Sequence, residues 1–470
     1  MNSKNLILNF LLLILLNLTA CSEKVEQAQS PPIDQLIAYT QDRKDFSYQL
    51  DDSLPVEGAT LYRIKMNSGK WLSDAEVNEP LWWHWVDIVV PDTIDTNTAL
   101  LFIGPGSKED TQQYLDSLSI QKAIETRSII SHVSNIPFQP LRFIGTDSIE
   151  RYEDNLIAYG WDQFLTKGAN DEDREWLARF PMTRAVVRAM DVVQEFTKSE
   201  PYAVSDFFIS GASKRGWTTW TTAAVDSRVI GMAPVVIDLL NIVPSFEHHY
   251  RLYGDWSPAV QDYVDFNIMD WMRTPAFKKL LSYVEPYEFK ERFKMPKLII
   301  NGTIDEFFAT DSWKFYWDAL PGNNYLQYVP NGNHGLLGSY QTPTIFSFYD
   351  RLIHSKALPK MEWEVKEGTF YLSTDPNIPY QINLWTCKNS KARDFRIWEV
   401  GRSWKKETIA VNSSGDYQIK ASEGEGYTAS LVEVVFYPES SNPLILSTGT
   451  VVLPEQYVFS SYQSDINLQN

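Results

Sequence analysis

The sequence predicts an α/β protein: a mostly parallel sheet of eight strands with helices on both faces, then a separate all-β module. Three observations carry this. Between residues 46 and 358, short β-branched runs alternate with segments long enough for crossover helices. The later runs are almost continuously apolar, as strands covered on both faces are. Beyond residue 359 the helical spacing stops, and strand-like runs recur between Gly, Asn, Pro and Ser turns. The chain has 470 residues, 44% of them hydrophobic and 14% aromatic, which suffices for more than one buried core. A net charge of −18 without a basic stripe argues against a nucleic-acid partner.

The N-terminal residues read as a targeting segment. Lys4 precedes an apolar run over 6–16, too short to span a bilayer, and Leu18-Thr19-Ala20-Cys21 follows. This resembles a bacterial lipoprotein signal: residues 1–20 are removed, Cys21 carries the lipid, and the protein is expected in the cell envelope. Residues 21–45, polar and proline-bearing at their start, are expected to form a tether. The second cysteine, Cys387, then has no partner for an internal disulfide.

The strand-like runs of the α/β part lie at 60–66, 84–91, 98–106, 127–133, 206–213, 229–238, 296–305 and 326–334. The first two suit a hairpin-like pair. The remainder are spaced for crossovers such as 181–196, which has Pro181 near its start. An aromatic-rich insertion, 239–295, is expected to cap the sheet. In the all-β module, 359–458, about seven runs including "RDFRIWEV" (393–400) predict a β-sandwich, with 459–470 as a tail.

Chemistry concentrates at "SDFFISGASKRGWTTW", 205–220. Ser213 ends an apolar run and precedes a helix-compatible stretch, the setting of a nucleophile elbow, where neighbours two positions away must be small. Gly211 satisfies this on one side. On the other side Arg215 stands where glycine is usual, with Gly216 one step later. A second Gly-x-Ser, Gly401-Arg402-Ser403, lacks a following helix. A serine nucleophile needs an imidazole to take its proton and a carboxylate to orient the ring. In the α/β-hydrolase arrangement these follow in the order acid, then histidine, each after a strand. Asp305 and His334 fill those places, with Glu306 and Asp311 as alternative acids. The oxyanion hole is expected from the Lys214 N–H together with that of Gly106 or Ser107. Lys214 and Arg215 open a helix, where the macrodipole disfavours cations. Either they pair with buried carboxylates or they hold an acidic substrate group. Arg215 and Trp217 are the expected substrate contacts. His248 and His249 are adjacent on a helix and diverge, so no metal site is expected, and no cofactor.

The stretches "GASKRGWTTW", "PVVIDLLN", "LIINGTIDEFF", "DALPGNNYLQYVPNGNH" and "INLWTCKNSKARDFRIWEV" resemble the PhoPQ-activated pathogenicity-related proteins along nearly the whole chain past the signal segment. Members of that family carry Asn-Gln-Pro where this chain has Phe138-Gln139-Pro140. The resemblance implies an exported α/β-hydrolase followed by a β-sandwich, with serine, aspartate and histidine at Ser213, Asp305 and His334. It implies no particular substrate. The expected function is therefore a lipid-anchored serine hydrolase acting on a small-molecule, peptide or glycan-ester substrate. The alternative is a non-catalytic envelope binding or signalling protein on the same scaffold.

Overall fold

The computed structural model describes residues 31–110, 117–199, 203–336 and 341–464. Cys21 and the signal segment lie outside these residues, as does the end of the expected tail. The expected tether is helical in part: α1 (Pro32–Gln41), with proline at its first turn, buries Leu36 against the body of the protein. Just after it, Arg43 pairs with Asp191 and Glu195.

Among the described residues nine strands, not eight, form the main sheet: β1 (Ser47–Val56), β2 (Ala59–Lys70), β3 (Leu81–Pro91), β4 (Thr98–Ile103), β5 (Ile130–Val133), β6 (Asp206–Ala212), β7 (Val229–Val235), β8 (Lys297–Gly302) and β9 (Asn324–Val329). Their order across the sheet is β1-β2-β3-β5-β4-β6-β7-β8-β9. Antiparallel pairing runs from β1 to β3 and joins β3 to β5; every pair from β5 through β9 is parallel. The extra strand, β1, is an exposed edge ribbon whose side chains almost all face water, so no apolar alternation marks it in the sequence. By contrast β4 and β8 are buried almost end to end, the signature of strands sandwiched between helical layers.

The crossovers are α2 (Ser117–Thr126), α3 (Glu153–Thr166), α4 (Arg179–Thr197) and α5 (Lys214–Val225). Helices α4 and α5 are buried on nearly every face. Between β7 and β8 the chain is helical, with α6 (Ile242–Tyr253), α7 (Gln261–Asp265) and α8 (Pro275–Val284), so the expected cap is present. Helix α8 begins where Thr274 accepts the Phe277 N–H, with Pro275 filling the position that has no amide to satisfy. The tail seats on this cap: the Tyr462 ring lies 5.0 Å from those of Tyr250 and Trp256, and its hydroxyl donates to Asp270. Helix α9 (Gln341–Ile353) closes the α/β part. Among the described residues no helix is long and apolar enough to cross a membrane.

The C-terminal module holds two antiparallel sheets, one ordered β10-β11-β14 and the other β13-β12-β15-β16 with β17 on β15. Its strands are β10 (Met361–Lys366), β11 (Thr369–Thr374), β12 (Tyr380–Asn389), β13 (Lys405–Ile409), β14 (Asp416–Lys420), β15 (Tyr427–Phe436), β16 (Leu444–Ser447) and β17 (Val451–Leu453). Phe370, Leu372 and Ile419 of the first sheet share a core with Ile382, Val432 and Val434 of the second. The expected strand at 393–400 is instead a turn and a short helix, α10 (Ile397–Val400). Asp394 accepts both the backbone N–H and the guanidinium of Arg396, an Asx-type turn that bends the chain out of extension.

This module holds the loops that follow β8 and β9. Ile397 N–H donates to the Ile304 carbonyl at 3.1 Å. Asn331 exchanges two hydrogen bonds with the Trp404 backbone, and Arg402 donates to the Asn331 carbonyl. Arg393 reaches Asp311 at 2.8 Å. Ile304 adjoins Asp305, and Asn331 lies on the loop that leads to His334, so the all-β module fixes both ends of the candidate site.

Candidate active site

Ser213 links β6 to α5 with φ 57° and ψ −125°, a backbone conformation that a non-glycine residue adopts only under strain. The strain projects its hydroxyl from the carboxyl edge of the sheet. The displaced glycine has a steric reason. A Cβ at Gly211 would lie 2.7 Å from the Arg215 carbonyl oxygen, so the bare glycine makes room for the helix backbone at 215, whatever side chain stands there. A Cβ at Gly216 would meet the Val235 carbonyl at 2.9 Å and that of Gly211 at 3.0 Å; this is where the helix backbone comes closest to the sheet. The second small residue is therefore required at 216.

Ser213 Oγ lies 2.8 Å from His334 Nε2, and His334 Nδ1 lies 2.9 and 3.1 Å from the two oxygens of Asp305. The pattern assigns the ring proton to Nδ1, donating to the carboxylate, and leaves Nε2 to accept from the serine hydroxyl. Asp305 is further fixed by the Phe307 N–H, donating to Oδ1 at 2.7 Å. The Phe307 ring lies against the imidazole, centroids 4.1 Å apart. Of the alternative acids, Glu306 accepts the His334 N–H at 2.8 Å and the Asn333 amide at 3.2 Å, so it positions the histidine loop. Asp311 is bound to His248, Lys314 and Arg393.

Beside Ser213 is a narrow cavity of about 40 Å³, lined by Lys214, Trp217, Ile237, Phe277 and Phe308 among others, with several residues from the cap. Trp217 is thus placed where the sequence puts a substrate contact, its indole N–H held by the Val284 carbonyl at 2.7 Å. Arg215 is not. It donates to Glu153 Oε1 and to the Ile136 carbonyl, and it does not line the cavity. Lys214 Nζ is 2.9 Å from Glu153 and 2.8 Å from Asp154, so partly exposed carboxylates offset both cations at the helix start. Burial opposes ionisation of Glu153, but Arg215 and Lys214 outweigh it and bring its pKa to about 2.

The Lys214 backbone N–H opens α5 and has no partner among the described residues. Of the two expected second donors, Gly106 and Ser107, one is already engaged. Ser107 N–H already donates to Asp110 Oδ2 at 2.7 Å, which completes a tight turn. Gly106 and Ser107 line a different cavity, one that reaches Gly211 and Ala212 but not Ser213.

Sequence reasoning passed over Asp238, Arg179, Asp154 and Tyr263. Asp238 follows β7 and accepts hydrogen bonds from the Tyr316 and Tyr328 hydroxyls. Burial, with help from the charges of Asp305 and Asp311, raises its pKa to about 8 against the pull of those two phenols. The folded chain therefore binds a proton that the unfolded chain releases near pH 4, and Asp238 lowers stability progressively as pH rises toward 8. An Asp238→Asn variant is expected to gain in melting temperature over the wild type as pH rises from 4 to 8, by at most about 1.4 kcal/mol of stability per unit. Thermal melts across that range check it; a difference independent of pH would rule it out.

The strand order, the serine after β6, the acid after β8 and the histidine after β9 define the α/β-hydrolase fold. Within that class the chain belongs to the PhoPQ-activated pathogenicity-related protein family, whose match runs over residues 36–396. It is 33% identical to autocrine proliferation repressor protein A of Dictyostelium discoideum over 96% of this chain and 95% of that one. Solved structures similar to it include acetyl xylan esterase 1 of a Thermoanaerobacterium species, with 14% identity and a TM-score of 0.49, over 68% of this chain and 93% of that one. Another is the acylaminoacyl peptidase of Pyrococcus horikoshii, with 14% identity and a TM-score of 0.38, over 68% of this chain and 44% of that one.

Proposed function

We propose that this protein is an exported, lipid-anchored serine hydrolase that transfers an acyl group from an ester or peptide to water. One observation carries the reading: Ser213, His334 and Asp305 form a continuous hydrogen-bonded chain that starts from a strained elbow. Ser213 Oγ attacks the acyl carbonyl as His334 Nε2 takes its proton. Asp305 holds the ring in the productive tautomer and stabilises the imidazolium that forms. The Lys214 N–H, at the positive end of α5, donates to the oxyanion. Collapse of the tetrahedral intermediate breaks the bond to the leaving group, which takes the proton from His334. Water, deprotonated by the same ring, then attacks the acyl-enzyme and releases the acid. Trp217 forms part of the wall against the acyl group. The Lys4 and Leu18–Cys21 pattern supports export and anchoring through a lipid on Cys21.

Purified chain incubated with a panel of short-chain esters, acetylated and glucuronoyl sugars and blocked peptides tests this. Turnover of at least one class above the rate in buffer is the expected result. A folded chain that turns over none of them would favour the scaffold reading.

A further inference from the structure

We propose that the cavity beside Ser213 selects an acyl group ending in a carboxylate, which Arg179 recognises; this rests on Ser213 being the nucleophile. Arg179 lines that cavity and is 3% exposed. It stands at the first position of α4, where the helix dipole disfavours a cation. Burial disfavours its charge as well and lowers its pKa, though a guanidinium stays protonated. What holds it is modest. One terminal nitrogen donates to the Lys214 carbonyl at 2.9 Å, and the guanidinium lies over the Trp217 ring at 4.6 Å. Its buried Nε has no partner among the described residues, and no carboxylate among them forms an ion pair with it.

Other buried arginines are closed by an acid, Arg63 by Asp87 and Arg188 by Asp191. Arg184 on α4 also lacks a bonded carboxylate, but Asp42, Asp74, Glu76 and Glu175 ring its pocket. Around Ser213 the balance differs. Lys214 and Arg215 use up Glu153 and Asp154, and the Tyr263 hydroxyl also donates to Asp154 at 3.1 Å. Of these three cations Arg179 alone has no ion pair among the described residues; Asp154, Lys214 and Tyr263 share the cavity wall with it, and much of the rest is apolar, with Ile237, Leu239, Phe277 and Phe308. An uncompensated buried cation is unfavourable unless an anion joins it.

Size and position define that anion. The cavity, about 40 Å³, has room for about three water molecules. Arg179 bonds the carbonyl of the residue that follows the nucleophile, so the anion must lie close to the scissile carbonyl. An acyl chain of about two to four carbons with a terminal carboxylate, as in a succinyl group, satisfies both conditions.

Monomethyl succinate and its uncharged isostere, methyl 4-methylpentanoate, separate recognition from packing. Wild-type kcat/KM, read by proton release, is expected to favour the anionic ester by about 10- to 100-fold. Arg179→Met should reduce that ratio to about one or below, and Arg179→Lys should retain part of it. A purely structural Arg179 would change both rates alike. A wild-type ratio of one or less overturns the proposal, as does a ratio that survives Arg179→Met. Should Arg179→Met fail to fold, the wild-type ratio alone decides. Calorimetry of both esters on Ser213→Ala protein separates this proposal from the hydrolase reading. Tighter binding of the succinate ester without wild-type turnover keeps the anion site and removes the hydrolase. Turnover of both esters without preference does the reverse. Neither binding nor turnover removes both.

Discussion

Replacing Ser213 with alanine should reduce kcat/KM on any turned-over ester by about 10⁴- to 10⁶-fold, the loss typical when a triad nucleophile is removed. The fold should survive, because alanine keeps the Cβ at φ 57° and removes only an oxygen whose partner, His334 Nε2, can turn to water. The melting temperature should stay close to that of the wild type, which separates lost chemistry from lost structure. Residual activity within tenfold of the wild type would place the chemistry elsewhere.

Gly211→Val is expected to have the largest combined effect on structure and rate. Its Cβ would approach the Arg215 carbonyl oxygen at 2.7 Å and the carbonyl carbon at 2.9 Å, both backbone atoms that cannot swing aside. Helix α5 would have to move, carrying with it Ser213 and the Lys214 N–H. A destabilisation of several kcal/mol, roughly that of overpacking combined with backbone strain, should accompany loss of activity. Gly401 offers the contrast. It belongs to the other Gly-x-Ser in the sequence, and nothing lies within 4 Å of its added Cβ. Gly401→Ala should lose about 1–3 kcal/mol, because φ 58° with ψ −154° is a region that glycine alone enters freely, and keep full activity. Thermal melts and ester assays on the two variants check the pair; equal effects would show that the elbow is not specially constrained.

The parts of this fold that bury apolar side chains were readable in advance. Strands β4, β6, β7, β8 and β9 are mostly apolar and mostly buried, and each candidate triad residue follows one of them in the chain order a hydrolase requires. What escaped reading is what water or distant residues determine. Strands β1 and β13 face solvent along most of their length and carry no periodic signal. The stretch 393–400 has strand-like composition, yet Asp394 binds Arg396 locally and Ile304 captures the Ile397 N–H across the module boundary. Nothing in the composition around Ser107 marks its N–H as taken, yet the Asp110 carboxylate, three residues on, accepts it. Arg179 is 34 positions from Ser213 and looks like an ordinary helix residue until the fold brings it to the Lys214 carbonyl, in a separation of 35 positions.

Whether Ser213 is an activated nucleophile can be measured directly with a fluorophosphonate, which reacts with a serine hydroxyl only when a neighbouring base takes its proton. Intact-mass spectrometry of the treated wild-type chain should show a single adduct. Peptide mapping should place it on Ser213, and Ser213→Ala and His334→Ala proteins should both remain unmodified. A folded wild-type chain that stays unmodified, or an adduct that persists in the Ser213→Ala protein, would contradict the catalytic reading.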